Sequence, residues 1–350
     1  MPETGRGGPK WPAVAQPQGF HLESRGYRTK RMQRRTFLIT MPLAVASLLG
    51  GCRAQAQRIR VAYHPWVGYE TLLLASQFDW LPATASLRRL ESATGSLAAL
   101  RGGQVDAAAL TLDEVIRARL GGLDLVVVMV FDVSSGGDVV MAREGIDTPA
   151  DLAGKRIAVE LGGVGEMLLD QVLARAGLDR DDVVIVDLAV DQHLVAWGRG
   201  EIDAAVGYEP TATRLRDAGA QRLIDSRDFP DMIFDVLAVR RDRLDAVDHV
   251  LTEVIRAHFR GLHHLRTNRQ DAVYRIADAQ QVSERVVNWS IAGVLLPGLE
   301  ANRRYLARNS RLFDAVRYLT PRLSSQAEPP SPSEVEEWII DAYLPREPRQ

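Results

Sequence analysis

An internal repeat constrains this chain more than any other feature. Leu97-Ala98-Ala99-Leu100, then Gly103-Gln104-Val105-Asp106-Ala107-Ala108-Ala109, is echoed by Leu194-Val195-Ala196-Trp197, then Gly200-Glu201-Ile202-Asp203-Ala204-Ala205-Val206. The offset holds at 97 residues, from Asp106 to Asp203 (203 − 106) and from Gly103 to Gly200 (200 − 103). Each copy reads as a helix, a glycine that stops it, an aspartate turn and a short buried strand entering a polar loop. Two alanine-rich segments alike by chance would not match helix, glycine, aspartate and strand without a gap. The repeat predicts one body made of two similar α/β lobes.

The surrounding pattern agrees. Short runs rich in Val, Ile and Ala predict strands at 59–63, 86–90, 107–110, 125–131, 139–142, 156–159, 183–187, 204–206 and 236–239. Helical patterns fall between them, at 70–77, 96–101, 112–120, 165–176 and 191–199 among others. Strands alternating with helices imply mostly parallel sheets flanked by helices. After Arg241 only helices are expected, in three or four segments ending near Leu319. A Ser/Pro-rich linker over 321–332 and a last amphipathic helix over 333–343 follow. Ligands of open α/β sheets bind beyond the carboxyl ends of the strands, so two facing lobes would form a cleft that closes by a hinge.

Composition narrows the function. At 350 residues the chain has room for two domains or one two-lobed body. Hydrophobic residues make up 46% and charged residues 25%, an ordinary globular balance. The formal net charge is −2, and no basic run interleaved with aromatics occurs, so no nucleic-acid partner is expected.

The single cysteine cannot form an internal disulfide, but its position is informative. Arg34 and Arg35 precede an uncharged run from Thr36 to Leu49, followed by Gly50, Gly51 and Cys52. A positive start, a short apolar stretch and small residues at its end are the parts of a signal peptide, and the run is too short to span a membrane. Leu49-Gly50-Gly51-Cys52 resembles the bacterial lipobox, in which the cysteine is lipidated and becomes the mature N-terminus. Arg34-Arg35-Thr36-Phe37-Leu38 resembles a twin-arginine export signal and equally fits an ordinary positive start. A signal over 32–51 and a tether over 52–57 are expected, with translation beginning at Met32 and residues 1–31 a non-native extension.

Several loop residues carry chemistry. Trp66 and Tyr69 flank Gly68 after the first strand, where aromatic faces could sandwich a planar or cationic ligand. His64 stands alone, with no second histidine at metal spacing, so no metal is expected. The loops also hold Glu70, Asp113, Glu114, Asp138, Glu160 and Glu209. Thr111-Leu112-Asp113-Glu114 fits a capping box, which gives Glu114 a structural role. Glu70 and Glu209 sit at helix starts, where a carboxylate suits the helix dipole as well as a ligand. Helix N-termini at Thr94-Gly95-Ser96 and Gly162-Gly163-Val164-Gly165 could receive an anion through backbone amides. Arg and Lys are nearly absent from these loops. An amine-bearing, zwitterionic or aminopyrimidine solute is therefore expected ahead of a plain nitrate or sulfonate.

One series of motifs is recognisable: Tyr63-His64-Pro65-Trp66-Val67-Gly68-Tyr69-Glu70, then Thr111-Leu112-Asp113-Glu114, then Asp138 to Ile146 and Asp151 to Glu160, and last Gly207-Tyr208-Glu209-Pro210. In this order it resembles the substrate-binding proteins of nitrate/sulfonate/taurine-type ABC importers, a group that includes thiamine-pyrimidine-precursor binders. The resemblance spans roughly Arg58 to Leu319. It implies a two-lobed periplasmic-binding-protein type II fold, with 58–133 plus 235–350 in one lobe and 134–234 in the other. It also implies a membrane permease and an ATPase as partners, a monomer, no cofactor and no catalytic residue. Its ligand contacts would come from Trp66, Gly68, Tyr69, Glu70, Thr94, Thr111, Asp113, Asp138, Gly163, Tyr208 and Glu209. A solute sensor that signals without transport fits the same sequence. A pyrimidine- or menaquinone-pathway enzyme of this fold class fits less well. Lys155 is the only lysine beyond the signal, no cysteine follows Cys52, and an export signal does not suit a cytosolic enzyme.

Overall fold

The computed structural model describes residues 57–324 and 326–346, so Cys52, the signal-like run and residues 1–31 lie outside the described residues. The first sheet contains β1 (Ile59–Tyr63), β2 (Ala85–Arg89), β3 (Ala107–Thr111), β4 (Leu125–Ser134), β10 (Phe234–Arg240) and β11 (Val294–Leu295), in the order β11-β4-β10-β3-β1-β2. The second contains β5 (Asp138–Ala142), β6 (Arg156–Val159), β7 (Val184–Asp187), β8 (Ala204–Tyr208) and β9 (Gln221–Asp225), in the order β7-β6-β8-β5-β9. Helices α1 (Glu70–Gln77), α2 (Ala93–Arg101) and α3 (Leu112–Leu120) link the strands of the first sheet, and α4 (Val164–Ala176), α5 (His193–Gly198) and α6 (Thr211–Asp217) those of the second.

Both sheets are mixed. In each, three parallel strands are followed by one antiparallel strand that arrives from the other sheet, β10 in the first and β5 in the second. The chain passes between the sheets over 135–137 and again before β10. Ser134 and Ser226 hydroxyls join the two crossings at 2.8 Å, and Ser226 Oγ also accepts from Gly136 N at 2.6 Å. Gly136 has φ +104°, backbone that a side chain would strain.

The repeat is a structural unit in both lobes. Gly103 (φ +64°) and Gly200 (φ +70°) end the two helices in the left-handed region. Asp106 then accepts from Arg60 N (2.9 Å), Nε (3.0 Å) and Nη2 (3.0 Å), and Asp203 from Arg156 N (2.9 Å), Nε (2.9 Å) and Nη2 (2.7 Å). The aspartate thus clamps each repeat strand to its parallel neighbour by bidentate, charge-assisted bonds. Arg240 Nη1 donates to Leu100 O and Arg143 Nη2 to Trp197 O, which ties the antiparallel strand to the repeat helix in the same way.

Burial explains the strand order. β4 (LVVVMVFDVS) is buried at all ten positions and lies inside its sheet between β10 and the two-residue β11, whereas the edge strand β2 is half exposed and ends in Arg88 and Arg89. The sequence did not mark β9 (QRLID) or the two-residue β11 as strands, because both are short and β9 mixes polar with apolar residues.

After β10 the chain forms α7 (Leu244–Thr267), α8 (Arg269–Gln280), α9 (Glu284–Ala292), α10 (Leu299–Leu306), α11 (Arg311–Leu323) and α12 (Pro332–Trp338). Their apolar faces join one core with the first sheet. There are more helices than the sequence suggested, and Pro321 lies inside the last turn of α11 rather than in a linker. The final helix stops at Trp338, because Ile339 pairs with Val127 and Ile340 N donates to Val127 O at 2.9 Å. Among the described residues, no helix is long and apolar enough to cross a membrane.

Candidate functional site

The carboxyl ends of the parallel strands in the two lobes face each other across one cleft. From the first lobe it is lined by His64 and Trp66 after β1, Ala93, Thr111 and Glu114 around the start of α3, and Asp235 on β10. From the second come Asp138 on β5, Glu160 after β6, Gly163 to Gly165 at the start of α4, Val190, and Val206 to Tyr208 at the end of β8. Among the described residues, no Arg or Lys belongs to this lining. The free space is about 30 Å³, room for only one or two waters. Thr94 Oγ1 donates to Glu160 Oε1 at 2.8 Å, and Arg117 on α3 meets Glu166 on α4 at 2.9 Å; both links join the lobes at the mouth.

The floor holds an acid pair. Asp132 on β4 and Asp235 on β10 are register partners, and both are buried. Trp66 Nε1 donates to Asp132 Oδ2 at 3.0 Å, and the Tyr69 hydroxyl donates to Asp235 Oδ1. Asp132 Oδ1 and Asp235 Oδ2 are buried without a hydrogen-bond partner among the described residues. Burial pushes both well above the usual carboxylate range, with the Asp132 charge adding at Asp235 and the Asp138 charge adding at both. Burial also raises Asp138 to about 7 and holds Glu114 high beside Asp113. His64, 5% exposed, is pushed down to about 4 by burial and is neutral at pH 7.

Of the residues singled out from sequence, Trp66, Thr111, Asp138, Gly163 and Tyr208 line the cleft. The others lie elsewhere. Tyr69 is wholly buried in the lobe, edge-on to His64 (5.2 Å) and Phe131 (5.1 Å), so the aromatic pair at the cleft is Trp66 with Tyr208, edge to face at 5.4 Å. Gly68 is required by the protein itself: a Cβ there would stand 1.6 Å from Asp132 Oδ2. Glu70 is buried at the start of α1, accepts from Gln280 Nε2 at 2.7 Å and is raised to about 7 by burial. Asp113 is buried beside Arg117 Nε (3.9 Å), and Glu209 accepts from Thr213 N at 3.0 Å. Thr94 stands at the mouth, on Glu160.

Glu114 has both roles at once. Its Oε2 accepts from Thr111 N at 2.9 Å, as a capping box requires, and its side chain also lines the cleft. His64, Glu160 and Asp235 are further members of the lining that sequence reasoning did not select, and Asp132 lies behind it, opposite Asp235. A signal for Asp235 was present. Asp138-Val139-Val140-Met141-Ala142-Arg143 is echoed by Asp235-Val236-Leu237-Ala238-Val239-Arg240 at the same offset of 97 (235 − 138). The two aspartates begin equivalent antiparallel strands, opposite Tyr208 and Thr111 respectively, and so arrive at the cleft from both sides. Asp132 had no such signal; it sits in an apolar run and becomes a partner of Asp235 only through sheet pairing.

Comparison with known proteins agrees with this arrangement. A Brucella abortus protein described only as a binding protein is 29% identical over 227 residues, 61% of this chain and 68% of the relative. The taurine-binding periplasmic protein of Escherichia coli is 28% identical over 163 residues, 46% of this chain and 51% of that protein. The crystal structure of the periplasmic aliphatic sulphonate binding protein of Escherichia coli superposes with a TM-score of 0.65 at 20% identity, covering 84% of this chain and 93% of that one, and so shares the two-lobed periplasmic-binding-protein fold. Residues 89–272 match the family description "NMT1/THI5 like", and with that match over half its length the chain belongs to the NMT1/THI5-like family.

Proposed function

We propose that this chain is the exported, lipid-anchored solute-binding component of an ABC import system, and that its solute presents an amine to the acids of the cleft. The observation that carries this reading is the lining itself: Asp138, Glu114, Glu160 and Asp235 converge between two hinged lobes with no Arg or Lys among them. Asp138 Oδ2 and His64 Nδ1 are buried there without a partner, which a donor-bearing solute would supply. Trp66 and Tyr208 add aromatic surface for a cationic or planar group. Gly163 to Gly165, at the N-terminus of α4, offer backbone amides to an anionic end, so a zwitterion is accommodated as well. Taurine, named in one relative, is such a solute, and the names of the relatives favour binding over catalysis. On this reading the lobes are 58–133 with 235–350 and 134–234, moving about the two crossings.

The test is calorimetric titration with cationic amines, zwitterions such as taurine, and plain anions such as nitrate and methanesulfonate. Amine-bearing solutes should bind, and more tightly at pH 8 than at pH 6, because raised carboxyls such as Asp138 (about 7) ionise over that interval and then attract a cation. If only the plain anions bind, the ligand assignment fails.

The anchor is tested separately. Cys52→Ser should release the protein from membrane fractions of its own cells while leaving solute affinity unchanged; membrane association that survives the substitution excludes a lipid on Cys52.

A further inference from the structure

A second hollow lies on the C-terminal helices of the first lobe. One face of α7 is buried at Val247, Val250, Leu251, Val254, Ile255 and Leu262. Along another face, Arg256, Phe259, Arg260, His263, His264 and Thr267 recur at helical spacing and, with Trp80, Asn268, Leu299 and Pro345, line a hollow of about 440 Å³. That volume lies within the range of small-molecule sites, on the order of 300–1,000 Å³.

Its aromatic wall is held in place. Trp80 stacks on Phe78 with centroids 4.7 Å apart and planes 16° apart. The Arg260 guanidinium lies 4.6 Å over Trp80, and Arg275 lies 4.4 Å over Phe78. His264 packs against both rings, while Asp271 holds its Nε2 at 2.7 Å. Buried Leu299 and Pro345 supply apolar surface on the lining. No Asp or Glu belongs to the lining, the reverse of the cleft between the lobes. A solvated basic helix face would account for the cations alone. It would not account for a walled hollow in which a guanidinium is laid over an indole.

We propose that this hollow is a second ligand site, which takes a small aromatic carboxylate with its ring against Phe259 and the edge of Trp80 and its charge on Arg260. Guanidinium and carboxylate pair with matching fork geometry, and Phe259 with the edge of Trp80 offers apolar surface to a flat ligand. The site does not depend on what the cleft binds.

The probe is 2-naphthoate, titrated calorimetrically into the full-length chain, with 2-naphthamide as the uncharged analogue. Naphthoate should bind, and the amide and the Arg260→Glu variant should each weaken binding at least about tenfold, the expected loss of one charge-assisted pair. Arg260 is half-buried and lies over Trp80, so the variant should unfold at a somewhat lower temperature than the parent but keep its affinity for cleft solutes. Asp138→Asn, in the cleft, should leave naphthoate affinity unchanged. The proposal is overturned if the parent does not bind naphthoate, if Arg260→Glu or the amide binds as tightly, or if Asp138→Asn abolishes the binding.

Discussion

Gly261→Ala is expected to lower the stability of the protein by about 2 kcal/mol or more, through overpacking of a helix crossing. Gly261 lies on α7 where it crosses α1, and a Cβ there would stand 2.2 Å from the carbonyl oxygen of Thr71 and 3.1 Å from its carbonyl carbon. Both are backbone atoms, so no rotamer change relieves the clash and the helices must separate. The intrinsic gain of Ala over Gly in a helix, about 1 kcal/mol, works against this loss and is smaller than the cost of forced separation. The effect should extend to the cleft. Thr71 Oγ1 bonds His258 Nδ1 at 2.7 Å and donates to Gly68 O at 3.3 Å, and Gly68 is the residue packed on Asp132. Urea unfolding should show the loss of stability, and solute titration a weaker affinity. A variant as stable as the parent would mean that the crossing has slack the geometry does not suggest.

The second large effect concerns pH. The folded protein should lose stability as pH rises from about 6.5 to 8, by roughly 2 kcal/mol or more, at up to about 1.4 kcal/mol per pH unit for each carboxyl still protonated in the fold. Glu70 and Asp138 are raised to about 7, and Glu114, Asp132 and Asp235 are also raised, all by burial. Above pH 6.5 these carboxyls are ionised in the unfolded chain but hold protons in the folded one. The folded state therefore binds more protons, and each unit of pH costs it stability until the folded pKa is passed. His64 (about 4) and His258 (about 3) act in the other direction, since burial keeps them neutral. Their contribution is complete above the ordinary histidine value of about 6.5 and is lost only as pH falls below it. The window from 6.5 to 8 thus belongs to the carboxyls. Asp132→Asn removes one of them while leaving an amide oxygen to accept from Trp66, so it should flatten the slope and leave the variant relatively more stable at pH 8 than at pH 6.5. Chemical denaturation at the two pH values checks both statements; a parent equally stable at both would show that the acids are ionised in the fold.

These acids mark where sequence reasoning stopped. Asp113 and Glu114 are adjacent, and the capping box gives a structural role to Glu114 alone. Position in space separates them, for Glu114 reaches the cleft while Asp113 packs on Arg117. Tyr69 and Trp66 are three residues apart in one loop and look equivalent in sequence. The short 3₁₀ turn at Val67–Tyr69 directs Tyr69 into the core, and Trp66, just before it, lines the cleft. Loop chemistry named the right region, and the turn geometry chose among its residues.

The sequence by itself determined the two lobes. A gapless repeat with glycine and aspartate at fixed positions encodes the same helix stop and the same aspartate turn twice, because those are local requirements of the backbone. The alternation of apolar strands with amphipathic helices set the α/β class for the same local reason. Only the tertiary structure decided the character of the site. Asp132 and Asp235 lie far apart in the chain, on β4 and β10, and meet because β10 returns from the second lobe and inserts antiparallel between β3 and β4. Sheet pairing buries both carboxyls in one place, and burial is what makes them hold a proton.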